Sequence, residues 1–344
     1  MHVVRNAWYV AAWSSELSAK PQSRTLLGES VFLARKTDGT PVALGNRCPH
    51  RFAPLHMGTW SENTIQCGYH GLRFGVDGAC VENPTGKGAI PRQARIAAYP
   101  VAERDGFVWI WMGDADAADE GLVPDYSMLN APTQRHAMGG YLHIKTNYQF
   151  MIDNLMDLSH VAFLHPAFGT RSMAQGKVEM IEDKRILHVN RLMPSCEAPS
   201  YLLAVAGPDR KVDHWLDMTL HMPSSMILAS GASRPGQGRR GGAPLSSHVV
   251  TPETDGITHY FFSISLDATQ FSAHDLDQLH AQQKQVFLTE DIPMLEGCQS
   301  LMGTTDLWAL QPVLLATDAG PVRARKWLDQ MILEEGAQQE RVSA

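Results

Sequence analysis

Short runs of β-branched, aromatic and aliphatic residues, broken by turn dipeptides, open the chain. Val31–Arg35, Pro41–Leu44 and Phe107–Trp111 are such runs, and Asp38-Gly39, Asp77-Gly78 and Asp105-Gly106 stand between them. Asp-Gly accepts the positive φ angles of tight hairpins, so the spacing predicts an all-β domain. The small, acidic stretch from Gly113 to Gly121 reads as a linker. It sets the expected domains at residues 1–115 and 116–344.

Past the linker the period changes. A strand is expected at Gly140–Ile144, and Tyr148–Leu164 has the apolar spacing of a helix and no glycine or proline. Further strands are expected at Val178–Met193, His214–His221, Ser246–Val250 and Thr258–Leu266. Asp275–Met302 reads as a helix that Pro293 should kink or interrupt, and a last helix is expected over Val322–Glu335. The pattern is that of an α+β domain around an antiparallel sheet. Arg234–Pro244 is glycine-rich and basic; with no strand-to-helix context it reads as a mobile hairpin loop rather than a phosphate cradle. No internal repeat is visible.

Composition narrows the function classes. At 344 residues the chain exceeds a usual single core, and 44% apolar residues is ordinary for a globular protein. A formal charge of −7 without a basic stripe excludes a nucleic-acid partner. The start lacks a signal peptide's apolar core and no stretch is suited to crossing a membrane, so a cytoplasmic location is expected. Five cysteines are too few for a disulfide framework. Cys80, Cys196 and Cys298 have no histidine at ligand spacing and read as buried small side chains.

The other two cysteines belong to Cys48-Pro-His50 and Cys67-Gly-Tyr-His70, which lie sixteen residues apart. Two thiolates and two imidazoles are the ligands of a Rieske [2Fe-2S] cluster, in which two histidines replace two cysteines on one iron. Zinc takes the same four side chains in a closed tetrahedron. Zinc knuckles, however, usually group cysteines together and histidines together, whereas each knuckle here carries one of each. Pro49, Gly68 and Gly71 supply turns that let backbone N–H groups approach inorganic sulfide.

A second constellation lies in Asp153-Asn-Leu-Met-Asp-Leu-Ser-His-Val-Ala-Phe-Leu-His-Pro166. On a helix Asn154, Asp157 and His160 share a face, while His160 and His165 stand about 140° apart. Both histidines reach one metal only if the helix distorts or ends, and Pro166 disfavours helical backbone at His165. Two histidines and a carboxylate form the facial triad of non-haem Fe(II) oxygenases. Asp153, Asp157 and a distant residue such as Asp291 compete for the carboxylate place.

With both motifs in view, the chain resembles the oxygenase component of Rieske non-haem iron oxygenases over nearly its whole length. Within that family it is most similar to the type represented by dicamba O-demethylase, vanillate O-demethylase and toluenesulfonate methyl-monooxygenase. The shared stretches are Arg5–Ala12, Cys48–Leu55, Cys67–Leu72, Asp153–Leu158 and Thr251–Thr254. The resemblance implies an all-β Rieske domain and a helix-grip, START-like α+β catalytic domain. It implies that Cys48, His50, Cys67 and His70 hold the cluster, and that His160, His165 and Asp291 hold mononuclear Fe(II). Glu290-Asp291 matches the family's carboxylate position. Asn154 falls beside the iron, and Asp157 matches an acid linking a cluster histidine of a neighbouring subunit to His160, in a head-to-tail homotrimer. A reductase or ferredoxin is implied as the donor of electrons from NAD(P)H, with O2 as co-substrate.

The reaction this resemblance favours is oxidative O-demethylation of a methoxylated aromatic acid, releasing formaldehyde. Hydroxylation of an aryl methyl group, N-demethylation and ring hydroxylation are alternatives, and a Rieske electron carrier without catalysis is a more distant one. Leu228, His248 and Gln282 match the places where dicamba O-demethylase uses an asparagine, a histidine and a tryptophan to hold its ligand. Only the histidine is retained.

Overall fold

The structure, a computed structural model, describes residues 1–18, 20–199, 202, 203, 205, 206, 208–239 and 243–343. The chain divides into two compact units, Met1–Val123 with Thr251–Thr254, and Pro124–Val250 with Asp255–Ala344. The sequence placed the boundary at 115/116. Residues 116–123 group instead with the first unit, because Trp8 Nε1 donates to the Asp119 carbonyl and Arg104 to the Val123 carbonyl. The acidic stretch thus packs as part of a domain.

The first unit contains, in chain order, β1 (Trp8–Trp13), β2 (Gln22–Leu26), β3 (Glu29–Arg35), β4 (Pro41–Gly45), β5 (Thr59–Ser61), β6 (Thr64–Gln66), β7 (Arg73–Gly75), β8 (Cys80–Glu82), β9 (Ala98–Tyr99), β10 (Val101–Arg104) and β11 (Phe107–Trp111). They form three small sheets ordered β1-β11-β10, β2-β3-β4-β9 and β5-β6-β7-β8. β1 and β11 are buried along their whole length, which is why both read as unbroken apolar runs rather than alternating ones. The β10–β11 turn is Asp105-Gly106 with φ of 54° and 85°, the two positive angles of a type I′ hairpin. The motif loops rest on a core of Phe32, Leu44, Leu55, Ile65 and Phe74, to which Cys48 and Cys67 themselves belong.

The second unit is built on β12 (Gln134–Ile144), β13 (Lys177–Asp183), β14 (Ile186–Glu197), β15 (Lys211–His221), β16 (Ser225–Ser233), β17 (Leu245–Thr254) and β18 (Ile257–Asp267). These strands make one seven-stranded sheet, β12-β18-β17-β16-β15-β14-β13, and the paired strands run antiparallel. The expected strand Val178–Met193 is two strands of a hairpin. Its turn is at Lys184, with φ of 53°, a residue type that carries no turn signal.

Helices α1 (Tyr148–Met156), α2 (Val161–Leu164) and α3 (Arg171–Gln175) follow β12, and α4 (Ala273–Val286), α5 (Ile292–Met302) and α6 (Ala319–Ser343) follow β18. Between α4 and α5, Phe287–Asp291 is a π-helical turn, where the Ile292 N–H reaches back to the Phe287 carbonyl. Pro293 sits in the first turn of α5, where its missing N–H costs little. The described part of Arg234–Pro244 is tied down by Gly236 N–H to Asp213 and by Arg239 to Asp217, while residues 240–242 lie outside the described residues. Of the three remaining cysteines Cys196 is buried, Cys80 is half-buried and Cys298 is exposed, so the expectation of burial fails at Cys298. Among the described residues no helix is long and apolar enough to cross a membrane.

Candidate active site and metal centres

Each half of the first motif is a loop closed on itself by backbone hydrogen bonds. Cys48 N–H donates to the Ala53 carbonyl and Phe52 N–H to that of Cys48. In the other loop Cys67 N–H donates to Leu72 and Gly71 N–H to Cys67. Gly71 has φ of 76°, and a Cβ there would lie 2.7 Å from Pro84. The two thiols are buried, at 1% and 2% exposure, and touch each other. Burial pushes the Cys48 thiol up to about 11, and the neighbouring Cys67 adds to the rise. The histidines take the outer side: the rings of His50 and His70 are 4.5 Å apart at 67°, His50 exposed and His70 half-buried.

This layout bears on the choice between one metal ion and a cluster. A tetrahedral zinc ion with ligands at about 2.0–2.3 Å would draw all four donors to within about 4 Å of one another. Among the described residues, the groups with three donor atoms inside 4.8 Å do not include the Cys/His quartet. A cysteine pair inside and a histidine pair outside, each close but the two sets apart, suits a two-iron cluster with one iron on each pair.

The second constellation does converge. His160 Nε2 and His165 Nε2 each lie 3.5 Å from Asp291 Oδ1, and the three donor atoms fall within 4.8 Å of one another. The expected Tyr148–Leu164 helix is broken to bring this about. α1 ends at Met156, Asp157 takes extended backbone (φ −116°, ψ 93°), and a 3₁₀ turn over Leu158–His160 leads into the single turn of α2. His160 and His165 therefore flank α2, and the 140° of a regular helix never arises. Asn154 and Asp157 consequently do not share a helix face with His160. After His165 the chain folds back, with Gly169 N–H donating to the His165 carbonyl at 2.7 Å. A Cβ on Gly169 would come within 2.0 Å of the Val161 carbonyl oxygen.

The outer nitrogens fix the tautomers. His160 Nδ1 lies 2.7 Å from the Asp157 carbonyl oxygen, which only accepts, so Nδ1 carries the proton. His165 Nδ1 lies 2.7 Å from Glu290 Oε2 and donates to that carboxylate. With Nδ1 as the donor, each Nε2 is left to face the buried Asp291 oxygen as a potential ligand atom. Three electron-rich atoms converging in this way call for a cation, and two imidazoles with one carboxylate suit Fe(II) with positions left open. Phe168 stacks on His165 at 5.0 Å, and Asn154 Nδ2 donates to Asp291 Oδ1 at 3.2 Å, leaving Asn154 Oδ1 buried without a partner. The π-helical turn presents Glu290 and Asp291, adjacent in sequence, to the same histidine.

The other carboxylates have different roles. Asp153 pairs with Arg325, which also holds Gln149. The Asp157 carboxylate accepts from Arg191 at 2.8 Å and from Ser159 N–H and Oγ–H, and His160 is met by the Asp157 backbone instead. Arg191, 2% exposed, extends this network by donating to the Met173 carbonyl. Arg191 was not singled out from sequence, and Glu290 was named only as the neighbour of Asp291. They act through contacts 34 and 125 residues away, which no local pattern reveals.

Asn154, His160, His165 and Asp291 open on a cavity of about 290 Å³. Leu228, His248 and Gln282 all line it, so the three residues matched from sequence come together. His248 is buried, and Gln282 is exposed. Ser246 and Tyr260, missed from sequence, occupy both ring nitrogens of His248 at 2.8 and 2.6 Å. Burial holds His248 down at about 4, so the ring is neutral.

Residues 7–100 match the Rieske [2Fe-2S] domain, and residues 144–334 match the vanillate O-demethylase oxygenase C-terminal domain. The chain belongs to the Rieske non-haem iron oxygenases. It is 35% identical to the oxygenase component of chloroacetanilide N-alkylformylase from Rhizorhabdus wittichii, over 97% of both chains. It is 35% identical to the oxygenase component of dicamba O-demethylase from Stenotrophomonas maltophilia, over 98% of this chain and 100% of that one. The crystal structure of dicamba monooxygenase bound to dicamba superposes with a TM-score of 0.87 at 35% identity, over 97% of this chain and 98% of that one. The Rieske oxygenase described here is thus a non-haem iron monooxygenase, the oxygenase component of a multicomponent system. Its cofactors are a [2Fe-2S] cluster and a mononuclear iron, O2 is its co-substrate, and NAD(P)H electrons arrive through a separate electron-donating partner.

Proposed function

We propose that this oxygenase removes the methyl group of a small methoxylated aromatic, an acid or its uncharged derivative. The observation that carries the reading is the opening of the His160–His165–Asp291 triad into a cavity walled largely by Leu, Ile, Val and Phe side chains. In the balanced reaction an aryl methyl ether, O2, NAD(P)H and a proton give a phenol, formaldehyde, NAD(P)+ and water. Two matches support ether cleavage: the family model over residues 144–334 and the dicamba O-demethylase relative. The N-alkylformylase relative keeps N-dealkylation as the second reading.

We assign Cys48, His50, Cys67 and His70 to the cluster and His160, His165 and Asp291 to the iron. When bound, the cluster passes single electrons and the iron activates O2 for attack on a C–H bond. The protein's own groups do the positioning. The Asp157 carbonyl and Glu290 hold the two imidazole rings with Nε2 inward, Asn154 steadies Asp291, and the apolar wall keeps water from the reacting methyl group.

Asp157 Oδ2 accepts the Ser159 hydroxyl at 2.8 Å and has a lone pair to spare. The family resemblance supports a head-to-tail homotrimer in which a cluster histidine of one chain meets Asp157 of the next. A cytoplasmic location, where NAD(P)H is present, suits the same reading. Methoxylated aromatics supplied with a generic reductase, tracked for product and formaldehyde together, test the reaction. Formaldehyde in one-to-one ratio with a phenol is the expected result. Hydroxylated product without formaldehyde would replace ether cleavage with ring or methyl hydroxylation.

A further inference from the structure

Three residues on neighbouring strands form a hydrogen-bond chain that ends in the cavity. Tyr260 Oη on β18 lies 2.6 Å from His248 Nδ1 on β17, and His248 Nε2 lies 2.8 Å from Ser246 Oγ. Ser246 and His248 line the cavity.

Burial sets the direction of the protons. Tyr260 is 0% exposed, with the rings of Phe262 and Phe287 at 5.3 and 4.9 Å, and its hydroxyl has His248 Nδ1 as partner. A phenol proton with no acceptor would lose its hydration uncompensated, so Tyr260 donates to Nδ1. The neutral ring then carries its proton on Nε2 and donates it to Ser246 Oγ. With that oxygen accepting from His248, the Ser246 proton turns away from the ring and toward the cavity.

No cationic side chain faces the cavity: the described lining residues include no lysine or arginine, Leu228 adds no hydrogen bond, and beside Ser246 the wall's Asn154, Ser230, Gln282 and Gln283 are neutral. A buried carboxylate is fully compensated only by a cation, and neutral donors replace its hydration in part. A carbonyl or similar uncharged oxygen needs one donor.

We propose that Ser246, oriented through His248 and Tyr260, is the donor that selects the substrate, and that the pocket prefers an uncharged aromatic ether bearing an oxygen acceptor over the corresponding carboxylate. The proposal rests on the O-demethylation reading for its choice of ethers, and binding tests it separately from turnover. His248 and Tyr260 are positioning residues here.

The experiment measures binding of a methoxybenzamide, the matching methoxybenzoate and methoxytoluene to the anaerobic holoenzyme by calorimetry, with formaldehyde read from parallel aerobic samples. The amide is expected to bind about tenfold more tightly than the benzoate. Ser246→Ala and Tyr260→Phe should each weaken the amide about fivefold and leave methoxytoluene unchanged. Tighter binding of the benzoate, or an amide affinity untouched by Ser246→Ala, overturns the proposal. Equal weakening of all three ligands by Tyr260→Phe overturns the relay, because a merely structural defect does not discriminate by acceptor. The expected binding pattern without formaldehyde would refute ether cleavage and leave the recognition by Ser246 standing.

Discussion

Replacing Glu290 by alanine removes the anchor of His165 without touching any of the three donor atoms. The Glu290 carboxylate accepts from Nδ1 at 2.7 Å, which holds the proton on that nitrogen and leaves Nε2 bare toward Asp291. Loss of such an outer partner typically lowers metal affinity about 10–100-fold, or about 1.4–2.7 kcal/mol. Glu290 is 25% exposed on its side chain, so water replaces part of the lost contact and the lower half of that range, about 10–30-fold, is expected. Glu290→Gln keeps an acceptor and should lose less. Competition with an iron chelator gives the affinity of the mononuclear site, while the visible absorbance of the cluster serves as an internal control that should not change. An iron affinity of Glu290→Ala within about twofold of wild type would refute the reasoning that the outer hydrogen bond fixes His165.

Asp157→Asn should keep both metals but nearly abolish turnover, and it should also destabilise the fold by about 2–4 kcal/mol, because it leaves the Arg191 guanidinium buried beside a neutral amide. Metal analysis, thermal melts and product formation check this, and normal turnover would remove Asp157 from the electron route. Gly169→Ala, whose Cβ would meet the Val161 carbonyl at 2.0 Å, should cost iron binding while cluster absorbance persists. His214 and His248 are 0% and 3% exposed, and burial holds both near 4, below the 6.5 of an unfolded histidine. The unfolded chain therefore binds more protons between those values, so the stability present above pH 6.5 is lost as pH falls toward 4. Each ring accounts for about 2 kcal/mol between pH 6.5 and 5, which urea melts at pH 7 and pH 5 would read.

Most of both constellations was visible as candidates because Cys48/His50, Cys67/His70 and His160/His165 are close pairs of uncommon chemistry. One cysteine and one histidine in each knuckle pointed to a cluster, with zinc as the competing reading. Asp291 was harder: as one of several acids on a long helix, it was one of three candidates until the family resemblance singled it out. The break at Asp157 was not visible, since Asn154-Leu-Met-Asp-Leu has neither glycine nor proline and every residue there is compatible with a helix. What holds the bend is partly tertiary, the ion pair of Asp157 with Arg191, and partly local, since the Asp157 carboxylate caps the next turn by accepting from Ser159 N–H. The hairpin at Lys184 escaped for the same reason, because register and packing impose a turn that composition does not mark. The π-helical turn before Pro293 was half legible: proline foretold an interruption but not that the extra residue would aim Glu290 and Asp291 at one histidine. His248 was found by matching a family position; Ser246 stands two residues before it on the same strand face, whereas Tyr260 could only be found once β17 and β18 were paired.

The central claim is that one chain holds two separate iron sites on these seven side chains. Iron and acid-labile sulfide counted on the purified protein and on two variants test it most directly. The account predicts three irons and two sulfides per chain, two irons and two sulfides after His160→Ala with His165→Ala, and loss of both sulfides after Cys48→Ser with Cys67→Ser. One zinc in place of the sulfide-bearing pair, or an iron count unmoved by the histidine variant, would contradict it.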